Sequence, residues 1–448
     1  MTAERKNLQA YIDAVPIGGF QWRIFALCFL CALLDGFDTQ AIAYTGPAIA
    51  KAFGLAPKGG LAGILMAGTI GMMVGAMSLG PVGDRWGRRP AILGALFLFG
   101  IASLATGFAT MPEHIMALRF LAGLGMGGMT PVLLSLVAEY SPGYRRGTVM
   151  TGILLGLPAG AMLGGLLASS WLPVIGWEGI FIAGGAAPLA LLLVASALLP
   201  ESPQFLVARD QDRHRERIHG LLARIIGRPV VETTVFAVPQ RIETSPVSAL
   251  FAPEWRTRTL AIWATYFFNW IAWYMLLLWL PTVLITAGLA TEKAAYGTVT
   301  VNGVFIACAI PLSMMLARLD VRRVLFGMFA CGIAVCLALA TVSDDWTLTF
   351  VLVGATGFGV GGQQIALNYL IATVYPTSLR ATGTGWAIGM GRVGSIIGSA
   401  VGGWCLQQGG VPGYYIAIAV PLLIAALAVG TIRTQKRPVA STELSTAH

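Results

Sequence analysis

The chain has 448 residues, 56% of them hydrophobic and only 11% charged, with 56 glycines and a mean hydropathy of +0.76. A soluble chain carries about 25% charged residues, so these charges are too few to coat several water-facing domains, and a soluble enzyme is excluded. The net charge of +9 suits membrane topology and anionic lipid, and nothing in it asks for nucleic acid.

Apolar runs of about 20 residues fit helices that cross a bilayer and satisfy their own backbone groups. A lipid-facing β-barrel would instead show short alternating segments. Twelve runs are predicted, at 23–50, 59–82, 90–109, 113–138, 147–169, 178–199, 257–286, 294–317, 324–342, 347–372, 382–406 and 412–433. The polar stretch 200–256 divides them six and six. The expectation is an all-α membrane protein with one six-helix bundle over 1–199, a central loop over 200–256, a second bundle over 257–433 and a tail over 434–448. The first run is too long and too poorly flanked for a cleavable leader and reads as an uncleaved span.

The first span carries Asp35 and Asp38 in the string LLDGFDTQ, near the bilayer centre at about 1.5 Å of rise per residue. Three apart, they share a helix face. A charged Asp at that depth costs about 2.5–3.5 kcal/mol, and such residues usually line a pathway or carry protons. Two close carboxylates also disfavour each other's ionisation, which suits a proton-loading site. A structural pair capped by neighbouring polar groups is the alternative. Cys28 and Cys31 spell CxxC in the same span, but with no second pair nearby all six cysteines read as small packing residues.

The loop after the second span, GPVGDRWGRR from Gly80 to Arg89, reads as a tight hairpin. Gly80 and Gly87 would permit close backbone approach, and Asp84 can face a helix N-terminus or one of Arg85, Arg88 and Arg89. Arg119 lies deep in the fourth span, and Arg392 deep in the eleventh; each should face the interior. Glu139, Arg145 and Arg380 flank the ends of the fourth and tenth spans, where salt bridges could hold a gate or fixed caps could form. The seventh span offers ring faces and an amide in Tyr266, Asn269, Trp270, Trp273 and Tyr274. The tenth adds Gln363, Gln364, Asn368 and Tyr369, whose amides need partners in hydrocarbon; Asn302 is a weaker candidate. Single tryptophans in membranes are more often anchors or packing. No histidine lies deep in a span, and no zinc spacing, phosphate loop or nucleophile elbow is evident.

Basic residues fix the orientation. With both termini in the cytoplasm, that side receives Arg5, Lys6, Arg23, Arg85, Arg88, Arg89, Arg145 and Arg146, then nine arginines from Arg209 to Arg258, Arg241 among them. It also receives Arg318, Arg322, Arg323, Arg380, Arg433, Lys436 and Arg437, against Lys51, Lys58 and Lys293 outside. The halves also repeat: GMGG at 125–128 and GVGG at 359–362 precede Tyr140 with Arg145 and Tyr375 with Arg380, at a common offset of 235 residues. Duplicated six-helix halves imply a transporter with its site between the halves near the midplane.

The loop GPVGDRWGRR resembles the GxxxDRxGRR signature of the major facilitator superfamily. DGFDT, RFLAGLGMGG, EYSPGYRRG, LPESPQFLV and YPTSLRATGTGWAIGMGRVGSIIG are similar to the aromatic acid:proton symporters, the branch of the 4-hydroxybenzoate and protocatechuate permeases. RLDVRR at 318–323 departs from the signature, which weakens the equivalent gate around Asp320. The resemblance implies import of an aromatic carboxylate by proton symport through alternating access. It implies no cofactor beyond the coupling proton, a monomer, and the bacterial inner membrane. It places Arg119 with Asp35 and Asp38 in proton coupling and the 80–89 loop at the inward gate. That leaves Arg392 either to clamp the substrate carboxylate or to pair with Asp35 or Asp38 as a latch between bundles. Efflux of a drug by proton antiport, or a receptor for aromatic acids, would share the superfamily signature. The first has little use for a buried cation, and the second needs an output domain that this chain lacks room for.

Overall fold

Backbone in hydrocarbon has no water to bond, so the apolar runs must close their hydrogen bonds within themselves as helices. A computed structural model of the protein describes residues 7–55, 60–210, 212–229, 234–237, 246–316, 318–342 and 345–432. Arg5, Lys6, Lys58, Arg241, Arg433, Lys436, Arg437 and the tail 434–448 of the topology reading lie outside the described residues.

The first four spans are Gly19–Ala52, Ala62–Trp86, Arg88–Thr106 and Pro112–Tyr140. The fifth begins as Arg146–Leu154 and runs on into Gly156–Leu198, which breaks at Gly176 (φ 67°) to begin the sixth. The seventh to ninth are Arg256–Thr286, Thr291–Leu316 and Val321–Leu339. The eleventh and twelfth share Thr377–Thr431, broken at Gly410 (φ 60°). Ten long apolar helical stretches therefore hold twelve spans. Both breaks use glycine where a side chain would be strained, and they sit 234 residues apart, in step with the repeat offset. The tenth span is not regular: Trp346–Thr356 and Gln363–Val374 flank a wide π turn, Gly357–Gly361, closed by the Gly362 N–H on the Gly357 carbonyl at 2.9 Å.

The central stretch supplies two short helices, Pro203–Asp210 and Arg215–Ile226. The second buries Ile218, Leu221, Leu222 and Ile225 beside the N-terminal helix Leu8–Asp13.

Two apolar clusters show how the halves meet. One joins the C-terminal half to the N-terminal half through residues such as Ile42, Ile49, Leu65, Ala168 and Trp177, all toward the side away from the arginines. The Thr69 and Ser399 hydroxyls also meet across the halves there, at 3.1 Å. The other cluster lies on the arginine-rich side and draws only on residues up to Phe236. Among the described residues, the buried apolar contact between the halves is thus confined to the side away from the arginines.

Helices in lipid gain little from excluding water, so close packing of small residues holds them. Gly36 lies directly on the Leu157 backbone of the fifth span, leaving no room for a Cβ, whereas a Cβ on Gly94 would meet nothing within 4 Å. Gly36→Val is expected to lower the unfolding temperature of the detergent-solubilised protein by an amount equivalent to about 1–3 kcal/mol or more. Gly94→Ala should leave it unchanged or raise it.

Candidate functional site

The N-terminal half buries a complete ion pair. Arg119 places Nη1 2.8 Å from Asp38 Oδ2, with the two side chains 3% and 0% exposed. Its Nη2 donates to Ser103 Oγ at 2.8 Å and Thr106 Oγ1 at 3.2 Å. Ser103 in turn donates to Asp38 Oδ1, and the guanidinium stands 4.7 Å from the centre of the Phe181 ring. Charge, hydroxyls and ring together meet the desolvation cost that makes an unpaired cation so unfavourable at this depth.

Asp35 is held differently. It is equally buried, yet among the described residues it accepts only from Thr39 Oγ1 at 3.2 Å and Thr130 Oγ1 at 3.1 Å. The two aspartates expected to act as a neighbouring pair are therefore served by different partners. Asp35 interacts electrostatically with Arg392, but among the described residues no ion pair within 4 Å joins Arg392 to either aspartate. The bundle latch is not formed in this state.

Arg392 stands 5.2 Å from the centre of the Trp270 ring and places Nη1 3.5 Å from the Tyr274 hydroxyl. Trp270 stacks on Tyr274 with ring centres 5.8 Å apart and 17° between planes. The indole N–H donates to Gln364 Oε1 at 2.6 Å, Gln364 Nε2 donates to Asn368 Oδ1 at 3.2 Å, and the Tyr266 hydroxyl donates to the same oxygen at 2.7 Å. Arg392 and Gln364 are half-buried and Asn368 is exposed, so this strip is open to a ligand.

Other expected ligand residues are occupied elsewhere. Asn269 Nδ2 donates to Gln363 Oε1, and Gln363 Nε2 donates to the Gly359 carbonyl in the π turn. Both amides are buried and brace the seventh span to the tenth. Trp273 lies against Gly361 and faces Phe305 at 6.2 Å, wedged between three spans as packing. Tyr369 packs against the C-terminal core. Asn302 bonds the Thr298 carbonyl of its own helix at 2.9 Å.

On the arginine-rich side, Arg88 reaches Asp84 Oδ1 at 2.8 Å and Glu139 Oε1 at 3.3 Å. Glu201 organises this network: its Oε1 accepts from the Arg88, Arg89 and Ser202 N–H groups at 2.9, 3.3 and 2.8 Å. Gly87, at φ 110°, is needed there because a Cβ would collide with Glu201 Oε2. The Tyr140 hydroxyl donates to the Glu201 carbonyl at 2.7 Å. Arg85 contributes its carbonyl to Arg209 at 2.7 Å. Gly80 makes no close approach in this state, since nothing lies within 4 Å of where its Cβ would stand. Glu139 pairs within its own half, Arg145 is exposed, and Arg380 donates to the nearby Tyr375 carbonyl at 3.5 Å. Among the described residues no ion pair joins Glu139, Arg145 or Arg380 to the opposite half.

The sequence reading missed Ser103, Thr106 and Thr130, whose hydroxyls look unremarkable in apolar runs, and Glu201, which looks solvated in a polar one. It also missed Gln40, whose Oε1 is buried without a partner among the described residues. Its place directly after DGFDT was the available signal.

The family model described as Major Facilitator Superfamily matches residues 28–319 and 263–448. The chain is 36% identical to a gallate transporter of Pseudomonas putida over 94% of each chain. It is also 36% identical to the 4-hydroxybenzoate transporter PcaK of Pseudomonas aeruginosa over 95% of each. The inward open conformation of the xylose transporter XylE from Escherichia coli superposes with a TM-score of 0.73 at 17% identity, covering 93% of this chain and 97% of that one, a likeness of fold.

The two aspartates should respond unequally to neutralisation. Asp38→Asn leaves Arg119 buried and unpaired and is expected to cost about 3–5 kcal/mol, read as a large drop in unfolding temperature in detergent. Asp35→Asn removes no ion-pair partner and should cost about 1 kcal/mol or less.

Proposed function

The chain belongs to the major facilitator superfamily, and from that premise we propose that it imports an aromatic carboxylate together with protons by alternating access. The observation that carries this reading is Arg392 held on the Trp270 ring in one half and buried Asp35 in the other, neither of them in an ion pair among the described residues. The similarity to transporters named for gallate and 4-hydroxybenzoate, over more than nine-tenths of the chain, supports the substrate class. Neither drug efflux nor a receptor role gains support from these relatives. The arginine-rich face is assigned to the cytoplasm, with both termini, in the bacterial inner membrane.

Charge balance supplies the coupling. With the site empty, an ionised Asp35 and the Arg392 cation sum to zero. A bound carboxylate would add a second negative charge in a low-dielectric site, which is unfavourable until a proton neutralises Asp35. Protonated Asp35, cationic Arg392 and a substrate anion again sum to zero. The empty and fully loaded carriers are neutral and free to rock, whereas the half-loaded ones bear a net buried charge. Arg392 offers the carboxylate a planar fork of donors. Trp270 and Tyr274 flank the ring, and Gln364 and Asn368 present polar groups to ring hydroxyls. Asp38 and Arg119 serve the coupling by holding the first, third and fourth spans together around Asp35.

Vesicles with an imposed inward proton gradient and labelled 4-hydroxybenzoate or gallate test the scheme. Asp35→Asn mimics the protonated site: gradient-driven accumulation should disappear while exchange with preloaded substrate persists, because the loaded carrier stays neutral. Arg392→Gln should weaken apparent substrate affinity by about 10- to 100-fold. Gradient-driven accumulation by Asp35→Asn, or unchanged affinity in Arg392→Gln, would sink the corresponding role.

A further inference from the structure

A separate cleft of about 380 Å³ opens on the arginine-rich side, where the second span ends, the third begins and the helix Pro203–Asp210 crosses them. Arg89, Arg209, Arg217 and His214 line it, and Trp86 and Phe205 form apolar walls. Glu201 also borders the cleft with a single carboxylate, whose Oε1 accepts three backbone N–H groups and whose Oε2 lies against Gly87. Among the described residues none of the three guanidinium groups forms an ion pair within 4 Å, and with Glu201 counted the cleft keeps an excess of positive charge. Arg89 bonds the Ser196 carbonyl and Arg209 the Arg85 carbonyl, both uncharged partners, and Arg89 Nε is buried with no partner among the described residues. Arg217 is exposed and forms no ion pair among the described residues. Of the neighbouring acids, Asp212 pairs with Arg215 at 2.5 Å and Asp210 accepts from the Arg213 N–H at 3.0 Å.

We propose that this cleft binds the phosphodiester headgroup of an anionic phospholipid from the adjoining leaflet. Three cations with unused N–H donors suit an anion that offers several acceptor oxygens. Basic pockets at this level of a helical bundle recognise lipid headgroups. Trp86, 61% exposed at the end of a spanning helix, stands where amphipathic rings meet the headgroup layer and gives the lipid's glycerol and upper chains a surface to lie on. A headgroup here joins the start of the third span to the central segment beside Glu201. Its binding is independent of the solute transported.

Native mass spectrometry of the full chain in detergent, with equal amounts of phosphatidylglycerol and phosphatidylcholine, reads the preference directly. The wild-type chain should retain phosphatidylglycerol about tenfold or more over phosphatidylcholine. Arg217→Gln, which removes an exposed charge that forms no ion pair among the described residues, should lower that ratio about fivefold. The Arg209→Gln/Arg217→Gln pair should bring it near parity, while Arg209→Lys/Arg217→Lys keeps most of it. Millimolar inorganic phosphate should leave the lipid bound. Equal retention of the two lipids by the wild-type chain would overturn the proposal, as would an unchanged ratio in Arg217→Gln. Displacement of the lipid by inorganic phosphate would overturn it in favour of a soluble phosphate compound.

Discussion

The Asp38–Arg119 pair is the interaction on which the N-terminal half depends. Two opposite charges buried near the middle of a bundle are tolerable only when each is answered, and here the answer draws on four elements: the first span, hydroxyls of the third, the guanidinium of the fourth and a ring of the sixth. The relative positions of these helices are thereby fixed by charge as well as by packing. Asp35, one turn away, inherits its position from that block. The C-terminal half is held by weaker dipoles, such as Asn269 with Gln363 and the Tyr375 hydroxyl with Thr259 at 2.9 Å. Among the described residues it contains no ion pair. A block locked by charge thus faces one locked by amides and rings, and the unpaired Asp35 and Arg392 lie between them.

Much of the fold was legible because hydrocarbon penalises polar groups so heavily. The spans could be read from their apolar runs, and the division of the long helices at Gly176 and Gly410 from a break in those runs. Asp35, Asp38, Arg119 and Arg392 were visible for the same reason, since a charge in such a run is too costly to be incidental. Their pairing was not legible. Spacing of three puts both aspartates on one face, but which of them meets Arg119 depends on where Ser103 and Thr106 of another helix fall. Amides posed a similar ambiguity: Asn269 and Gln363 look as available to a ligand as Gln364 and Asn368, yet one register step buries the first two against each other. Glu201 was hidden because its importance arises only when the third span starts directly above it.

The charges of the arginine-rich side have a further consequence for rocking. Arg88, Asp84, Glu139 and Glu201 bond one another within a single half, and among the described residues no ion pair there joins the two bundles. The opposite side is sealed by apolar contact and one pair of hydroxyls, interactions that are individually weak and easily exchanged. In the proposed cycle neither face would present a steep electrostatic barrier to separation, since among the described residues no ion pair joins the two bundles.

The π turn at Gly357–Gly361 accommodates one residue more than a regular helical turn, and so resets the phase of everything after it by about 100°. Without that surplus residue, the face now carrying Gln364 and Asn368 toward Trp270 would be rotated out of the interface, and the neighbouring positions would take its place. A single-residue deletion between Phe358 and Val360 would thus change the chemistry displayed to the solute without altering any residue that touches it. At the proposed site, specificity would be encoded partly in a count of residues, a quantity that can change in one evolutionary step.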